Sequence, residues 1–233
     1  VPASTNITDN ISGLSDGSIT VCAVGEDSVG NIQAYSSASS YSWTKDTAQP
    51  TVTISSAVSD PTNANPIPIT IDFNESVSGL ASGDIAVTNG SVGGFTSVSG
   101  SEYTADITPS SDGTITVDVA SGVATDAVGN NNQAANQFST TYDGSAPTAT
   151  FASTPSDPDK LESLNIDVGG TDVAFYYYKV GESGSTDCST SSGYSSQVAA
   201  STNITDDISG LSDGIITVCA VGEDSAGNIQ AYS

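Results

Sequence analysis

Histidine, methionine and arginine are absent from this 233-residue chain, tryptophan occurs once, at Trp43, and the only cations are Lys45, Lys160 and Lys179. Without histidine neither a Ser-His-Asp nor a Cys-His nucleophile can be assembled, which leaves only the rarer Ser-Lys chemistry. The three cysteines have no histidine and no CxxC pair beside them, against a thiolate or imidazole zinc site. No stretch sustains the 3.6-residue apolar period of an amphipathic helix, and no run of 18 apolar residues could span a bilayer. Against the three lysines stand 27 acidic residues, a formal charge of -24. A surface of that sign repels nucleic acid and anionic membranes and concentrates cations. It serves solubility in salty surroundings, where screening makes self-repulsion tolerable, or solubility together with specific metal sites. The carboxylates are spread through turns in a repeated pattern that singles out no glycosidase pair. The chain reads as no enzyme.

What is present is repetition. The run STNITDNISGLSDGSITVCAVGEDSVGNIQAYS from Ser4 to Ser36 returns as STNITDDISGLSDGIITVCAVGEDSAGNIQAYS from Ser201 to Ser233. Only Asn10/Asp207, Ser18/Ile215 and Val29/Ala226 differ, so 30 of 33 positions match at an offset of 197. Self-similarity of this kind governs the fold, and the offset suits two β-domains of roughly 100 residues each. Thr, Ser, Val, Gly, Ala and Asn dominate, as in short strands joined by tight turns.

Two linkers of one pattern, Asp46-Thr47-Ala48-Gln49-Pro50 and Asp143-Gly144-Ser145-Ala146-Pro147, frame the middle of the chain. Between them TVTIS, PIPITIDF, DIAVTN, GGFTSVS, EYTADITP, GTITVDVA and NQFSTTYD predict seven strands in two face-to-face antiparallel sheets. Period-two alternation turns Ile67, Ile69, Ile71 and Phe73 inward, with Ile115, Val117 and Val119. The fold class is all-β, tandem β-sandwich modules joined by short acidic linkers. Residues 1–46 are expected to be the C-terminal part of a module and 47–145 a complete one. Residues 146–233 are expected to lack the last strand, ASSYSWTKD in the first copy. In the third module ATFAST, LNIDVGG, AFYYYKV, NITDDIS and GIITVCAVGED are the strand candidates. Ends of this kind suit an arbitrary boundary, completion by a neighbouring chain in a head-to-tail fibre, or disordered ends. Val1-Pro2-Ala3 has neither the basic start nor the apolar segment of a signal peptide, which says little about targeting.

Cys188 and Cys219 belong to the third module, and Cys22 is the counterpart of Cys219. A Cys188–Cys219 disulfide fits an oxidising compartment; two buried thiols are the other reading. The repeat places a partner for Cys22 upstream of Val1. The turns GEDSVGN, ATDAVGN and GEDSAGN occupy one place in all three modules. They should approach the preceding linker, with Asp126 and Asn130 near Asp46, and Asp224 and Asn228 near Asp143. Such carboxylate and amide oxygens suit Ca²⁺ better than Mg²⁺, and Asp72, Glu75, Asp167 and Asp172 could complete the shells. A plain turn, with Asp bonding backbone and Gly at positive φ, needs no ion. Sequons at Asn6, Asn74, Asn89 and Asn203 are short enough to arise by chance, and no feature selects a lysine for a Lys-Asn crosslink.

The linker-plus-strand phrases DTAQPTVTI and DGSAPTATF, together with PIPITIDFNESVSGLASGDIAVTNG and GTITVDVASGVATDAVGNNNQAA, resemble bacterial immunoglobulin-like (Big-type) repeats of large surface adhesins. The resemblance covers the second module nearly end to end, while the flanking ones look like a divergent, cysteine-bearing relative. It implies immunoglobulin-like sandwiches forming a calcium-stiffened stalk outside the bacterial cell, secreted or at its surface, with the metal role falling on Asp46, Asp126, Asp143 and Asp224. Gln49 departs from the commoner residue before Pro. The expected function is a structural repeat segment of such an adhesin or fibre. The alternative is a carbohydrate- or protein-binding module, for which Phe175, Tyr176, Tyr177 and Tyr178 are the best feature. The expected partners are neighbouring repeats and head-to-tail copies, with no nucleic acid and no membrane insertion.

Overall fold

The structure is a computed structural model that describes residues 5–157 and 160–233. Ser4, with which the duplication begins, lies outside them. All ladders between described strands are antiparallel. No described helix is long and apolar enough to cross a membrane.

In the central segment, β3 (Val52–Ser55), β4 (Ile67–Phe73), β7 (Glu102–Pro109) and β6 (Gly90–Ser97) form one sheet in that order. A second contains β5 (Ile85–Thr88), β8 (Gly113–Val119) and β9 (Phe138–Tyr142), with β8 in the middle. Each element follows from its alternation. Along β4 the expected residues Ile67, Ile69, Ile71 and Phe73 are buried, and along β8 Ile115, Val117 and Val119. The two sheets contribute these side chains, with Tyr103 and Ile107 of β7 and Ile85 of β5, to one hydrophobic cluster. Each fully buried Ile or Val stabilises by about 1.5–3 kcal/mol, which is why one face of each sheet is committed to the core. Strand β6 starts at Gly90 rather than Gly93 and its register with β7 shifts between Gly93 and Thr96.

The C-terminal segment pairs β10 (Thr148–Phe151) with β11 (Val168–Thr171). It also forms a three-stranded sheet in the order β13 (Val198–Ala199), β12 (Phe175–Glu182), β14 (Ile216–Glu223). Its cluster gathers Leu164, Ile166, Val168, Tyr176 and Ile204. LNIDVGG enters a strand only from Val168. NITDDIS forms none, joining through the single bridges Ile166–Ile204 and Ser163–Asp207. Cys188 and Cys219 are disulfide-bonded, Cα atoms 5.5 Å apart. The aromatic run divides by face, as strand geometry requires: Tyr176 is buried with its hydroxyl donating to the Thr202 carbonyl at 2.6 Å, and Tyr177 donates to Glu223 Oε2 at 2.5 Å.

The N-terminal residues form the hairpin of β1 (Gly17–Ala23) and β2 (Ser39–Lys45), in register from Gly17 with Lys45 to Ala23 with Ser39. Tyr41 and Trp43 stack on one face of β2, ring centroids 6.0 Å apart. Thr47 bonds Asp16 through its backbone N–H and its hydroxyl, tying the hairpin to the linker.

Candidate functional site

The acidic turn recurs in one conformation. In the second copy Asp126 Oδ1 accepts the backbone N–H groups of Val128, Gly129 and Asn130 at 2.8–2.9 Å, while Asn130 Nδ2 donates to Asp126 Oδ2 at 2.8 Å. Asp224 is held in the same way by Ala226 and Asn228, and Asp27 by Val29 and Asn31. Gly30, Gly129 and Gly227 have φ of 91°, 98° and 90°, the left-handed region that makes glycine the fitting residue at this step.

Each complete turn reaches back to its linker. Asn130 Nδ2 donates to the Asp46 carbonyl at 3.3 Å, and Asn228 Nδ2 to the Asp143 carbonyl at 2.8 Å. The linker aspartates are fixed alike, Asp46 Oδ1 accepting Ala48 N–H at 3.0 Å and Asp143 Oδ1 accepting Ser145 N–H at 3.1 Å. Pro50 and Pro147 are buried behind them, and Gln133 N–H donates to the Pro50 carbonyl. A third carboxylate comes from the loop after the second strand of each segment, beside Asn74, whose side chain accepts Thr51 N–H at 2.7 Å. Carboxylate oxygens of Asp46, Glu75 and Asp126 lie within 4.8 Å of one another, as do those of Asp143, Asp172 and Asp224.

Glu75 and Asp172 thus join the clusters, whereas Asp72 and Asp167 do not. Asp72 sits on β4 opposite Glu102 and Thr53, on the exposed face. Asp167 lies before β11, its N–H donating to Ser153 Oγ. Asn130 and Asn228 face the carboxylates with Nδ2, so here they brace the acids, and an oxygen-ligand role would need the opposite amide orientation.

Three carboxylates drawn together repel unless a cation or donors offset them. Lys45 serves the Leu14 carbonyl and Asp16, and Lys179 the Thr190 and Ser192 carbonyls and the Tyr194 ring, away from both clusters. The donors are all oxygen, the set a hard divalent cation takes, and such clusters can chelate one. Burial works against ionisation of Asp126, but the bonds from the Asn130 amide and from the backbone of Asn130, Val128 and Gly129 outweigh it and hold its carboxyl below the ordinary 3.8. Asp27 is also lowered, chiefly by the Asn31 amide. This turn has no such cluster among the described residues.

One residue that sequence reasoning passed over supports the first cluster. Asn132 is fully buried; its Oδ1 accepts Val123 and Ala124 N–H, both at 2.9 Å, and its Nδ2 donates to the Ala120 and Gln133 carbonyls at 2.9 and 2.7 Å. It closes the loop that carries Asp126. Gln230 stands at the corresponding place, its Oε1 accepting Gly222 and Ala149 N–H. The signal was an amide side chain two residues beyond the Gly-Asn of each turn.

No curated protein matches the chain. Residues 46–143 match the model of a family described as bacterial Ig-like domain. Domains of that family are typical of bacterial surface and secreted proteins. The central part of the chain, with both sheets and the first acidic cluster, is therefore a single bacterial Ig-like domain, an all-β unit without catalytic function.

Proposed function

We propose that the chain is a segment of an extracellular bacterial stalk or fibre, built of tandem Ig-like sandwich modules, with the C-terminal part of one in residues 1–46, a complete one in 47–145 and one lacking its last strand in 146–233, and stiffened by calcium at the module junctions. The observation that carries this is the recurrence of one arrangement at two places. A linker aspartate, a loop carboxylate and a buried turn aspartate meet at Asp46, Glu75 and Asp126, and again at Asp143, Asp172 and Asp224. A plain turn would need its own Asp and Gly, but it would not need two further carboxylates brought in from separate segments. A bound Ca²⁺ would take these oxygens, with Asn130 and Asn228 bracing or completing the shell, and so join linker to turn. Its charge would offset the local repulsion and fix the angle between modules. The receptor alternative draws nothing from Tyr176, which is in the core, or from Tyr177, which is spent on Glu223.

Calorimetric titration of the chain with calcium is expected to show two binding events, one of which is lost on Asp126→Asn and the other on Asp224→Asn. X-ray scattering should report a more extended, less variable shape in calcium than in chelator. No heat of binding together with an unchanged scattering profile would sink the reading.

A further inference from the structure

Both linkers leave a strand that runs beside an Asp-Gly turn. Ser15-Asp16-Gly17 opens β1 and Ser111-Asp112-Gly113 opens β8, with φ of 130° and 123° at the two glycines. The ladders pair Gly17 with Lys45 and Gly113 with Tyr142, the last residue before each linker. One step beyond the ladder, each turn aspartate therefore stands beside the linker itself.

Each aspartate takes hold of it. Asp112 Oδ1 accepts Gly144 N–H at 2.7 Å, and Asp112 Oδ2 accepts the Ser145 hydroxyl. Asp16 Oδ2 accepts Thr47 N–H at 3.1 Å, and the Thr47 hydroxyl lies 3.0 Å from both carboxylate oxygens of Asp16. Donors of this kind favour the ionised acid. The Ser145 hydroxyl and Gly144 N–H hold the Asp112 carboxyl below the ordinary 3.8, and Thr47 N–H and hydroxyl do the same for Asp16, helped by Lys45 Nζ at 3.8 Å. The second linker has a further fastening in the buried Thr62, whose carbonyl accepts Asp143 N–H at 2.9 Å.

The linker is held in crossed order. The carbonyl of its first residue, Asp46 or Asp143, is bonded to the turn that follows in sequence, through Asn130 or Asn228. The residues after it are bonded to the segment that precedes. Three carboxylates repel one another on the following side, whereas on the preceding side a single acid faces donors. Charge thus loosens one attachment and tightens the other. We propose that Asp16 and Asp112 are positioning residues that fasten each linker to the segment before it, with or without a cation, so that the joint pivots between the linker and the turn that follows. This rests on reading the linkers as joints between modules, and does not rest on calcium. An ion would act on a linker already in place, with Asp46 or Asp143 presented to the turn. Its departure would free the following module while the linker travels with the preceding one.

The test is amide hydrogen exchange of the 233-residue chain in chelator and in calcium. In chelator the Thr47 and Gly144 amides are expected to stay protected. Asp112→Ala should speed Gly144 exchange at least about ten-fold and leave Thr47 unchanged, and Asp16→Ala should do the reverse. Ser145→Ala, which removes one donor and touches no strand, should speed Gly144 about two- to five-fold; it decides the matter if Asp112→Ala lowers the melting of the central domain. Calcium titration of Asp16→Ala and Asp112→Ala should show the same events as the parent chain. Thr47 and Gly144 amides that exchange at the open-chain rate in chelator and are protected only in calcium overturn the proposal. So does a Gly144 rate unchanged by Asp112→Ala or by Ser145→Ala. Loss of a calcium event in Asp112→Ala also overturns it, because the aspartate would then be a ligand rather than a fastening. A parent chain that binds no calcium removes the ion from the joints, and the amide rates in chelator still decide the fastening.

Discussion

Replacing Asn132 by alanine tests how the acidic loop of the central domain is held. The side chain is fully buried and makes four hydrogen bonds to backbone groups that would otherwise face one another unpaired, Val123 and Ala124 N–H and the carbonyls of Ala120 and Gln133. At a net value of about 1 kcal/mol each, their loss should cost about 4 kcal/mol. That is a large share of the ~5–15 kcal/mol that a domain of this size has in reserve. The melting temperature of the central domain should fall by roughly 16–32 °C. Calorimetry of the whole chain would resolve this, with the C-terminal transition as an internal reference, because Gln230 closes the corresponding loop there independently. Calcium titration of the folded variant should show the weakened site at Asp46, Glu75 and Asp126 only. A loss below about 1 kcal/mol would refute the reasoning, since it would mean that the backbone bridges of the loop hold it without the side chain.

Replacing both Cys188 and Cys219 by serine removes a crosslink over a separation of 31 residues, for which chain entropy gives ~3.7 kcal/mol; urea unfolding should show that loss in the C-terminal transition, and an equal shift of the central one would contradict it. Acid should open the Asp126 turn in a defined window. Its carboxyl is below 3.8 when folded and at 3.8 when unfolded, so its stabilisation is complete above 3.8 and is lost as pH falls through the folded value. Hydrogen exchange of the Val128, Gly129 and Asn130 amides reports this, and protection that stays constant down to about pH 2 would count against it.

Much of the central domain was legible because β-alternation and burial carry the same information there. Ile67 to Phe73 and Ile115 to Val119 declare an inward face, and Glu102–Pro109 is a strand over the expected residues. Legibility fails where side chains are small or polar on both faces. Gly90 to Gly94 gives no alternation to place the start of β6, and NITDDIS holds Ile204 in the core by a single bridge rather than by a ladder. The closeness of Asp126 to Asp46 and of Asp224 to Asp143 was legible in the repeated turn and linker. The choice of Glu75 over Asp72 depended on which carboxylate stands beyond the strand end and which on its exposed face. Asn132 was hidden because its role lies in four backbone partners, none of which a sequence displays.

The disulfide has a consequence for a chain that is pulled from its ends. Cys188 and Cys219 are joined, so force that unravels the C-terminal segment cannot extend the 31-residue separation between them. At about 3.3–3.6 Å per extended residue, some ~100 Å of contour length stays locked until the bond is reduced. Wherever this segment is stretched in oxidising surroundings, it yields a short extension and then resists, and a reductant would release the remainder.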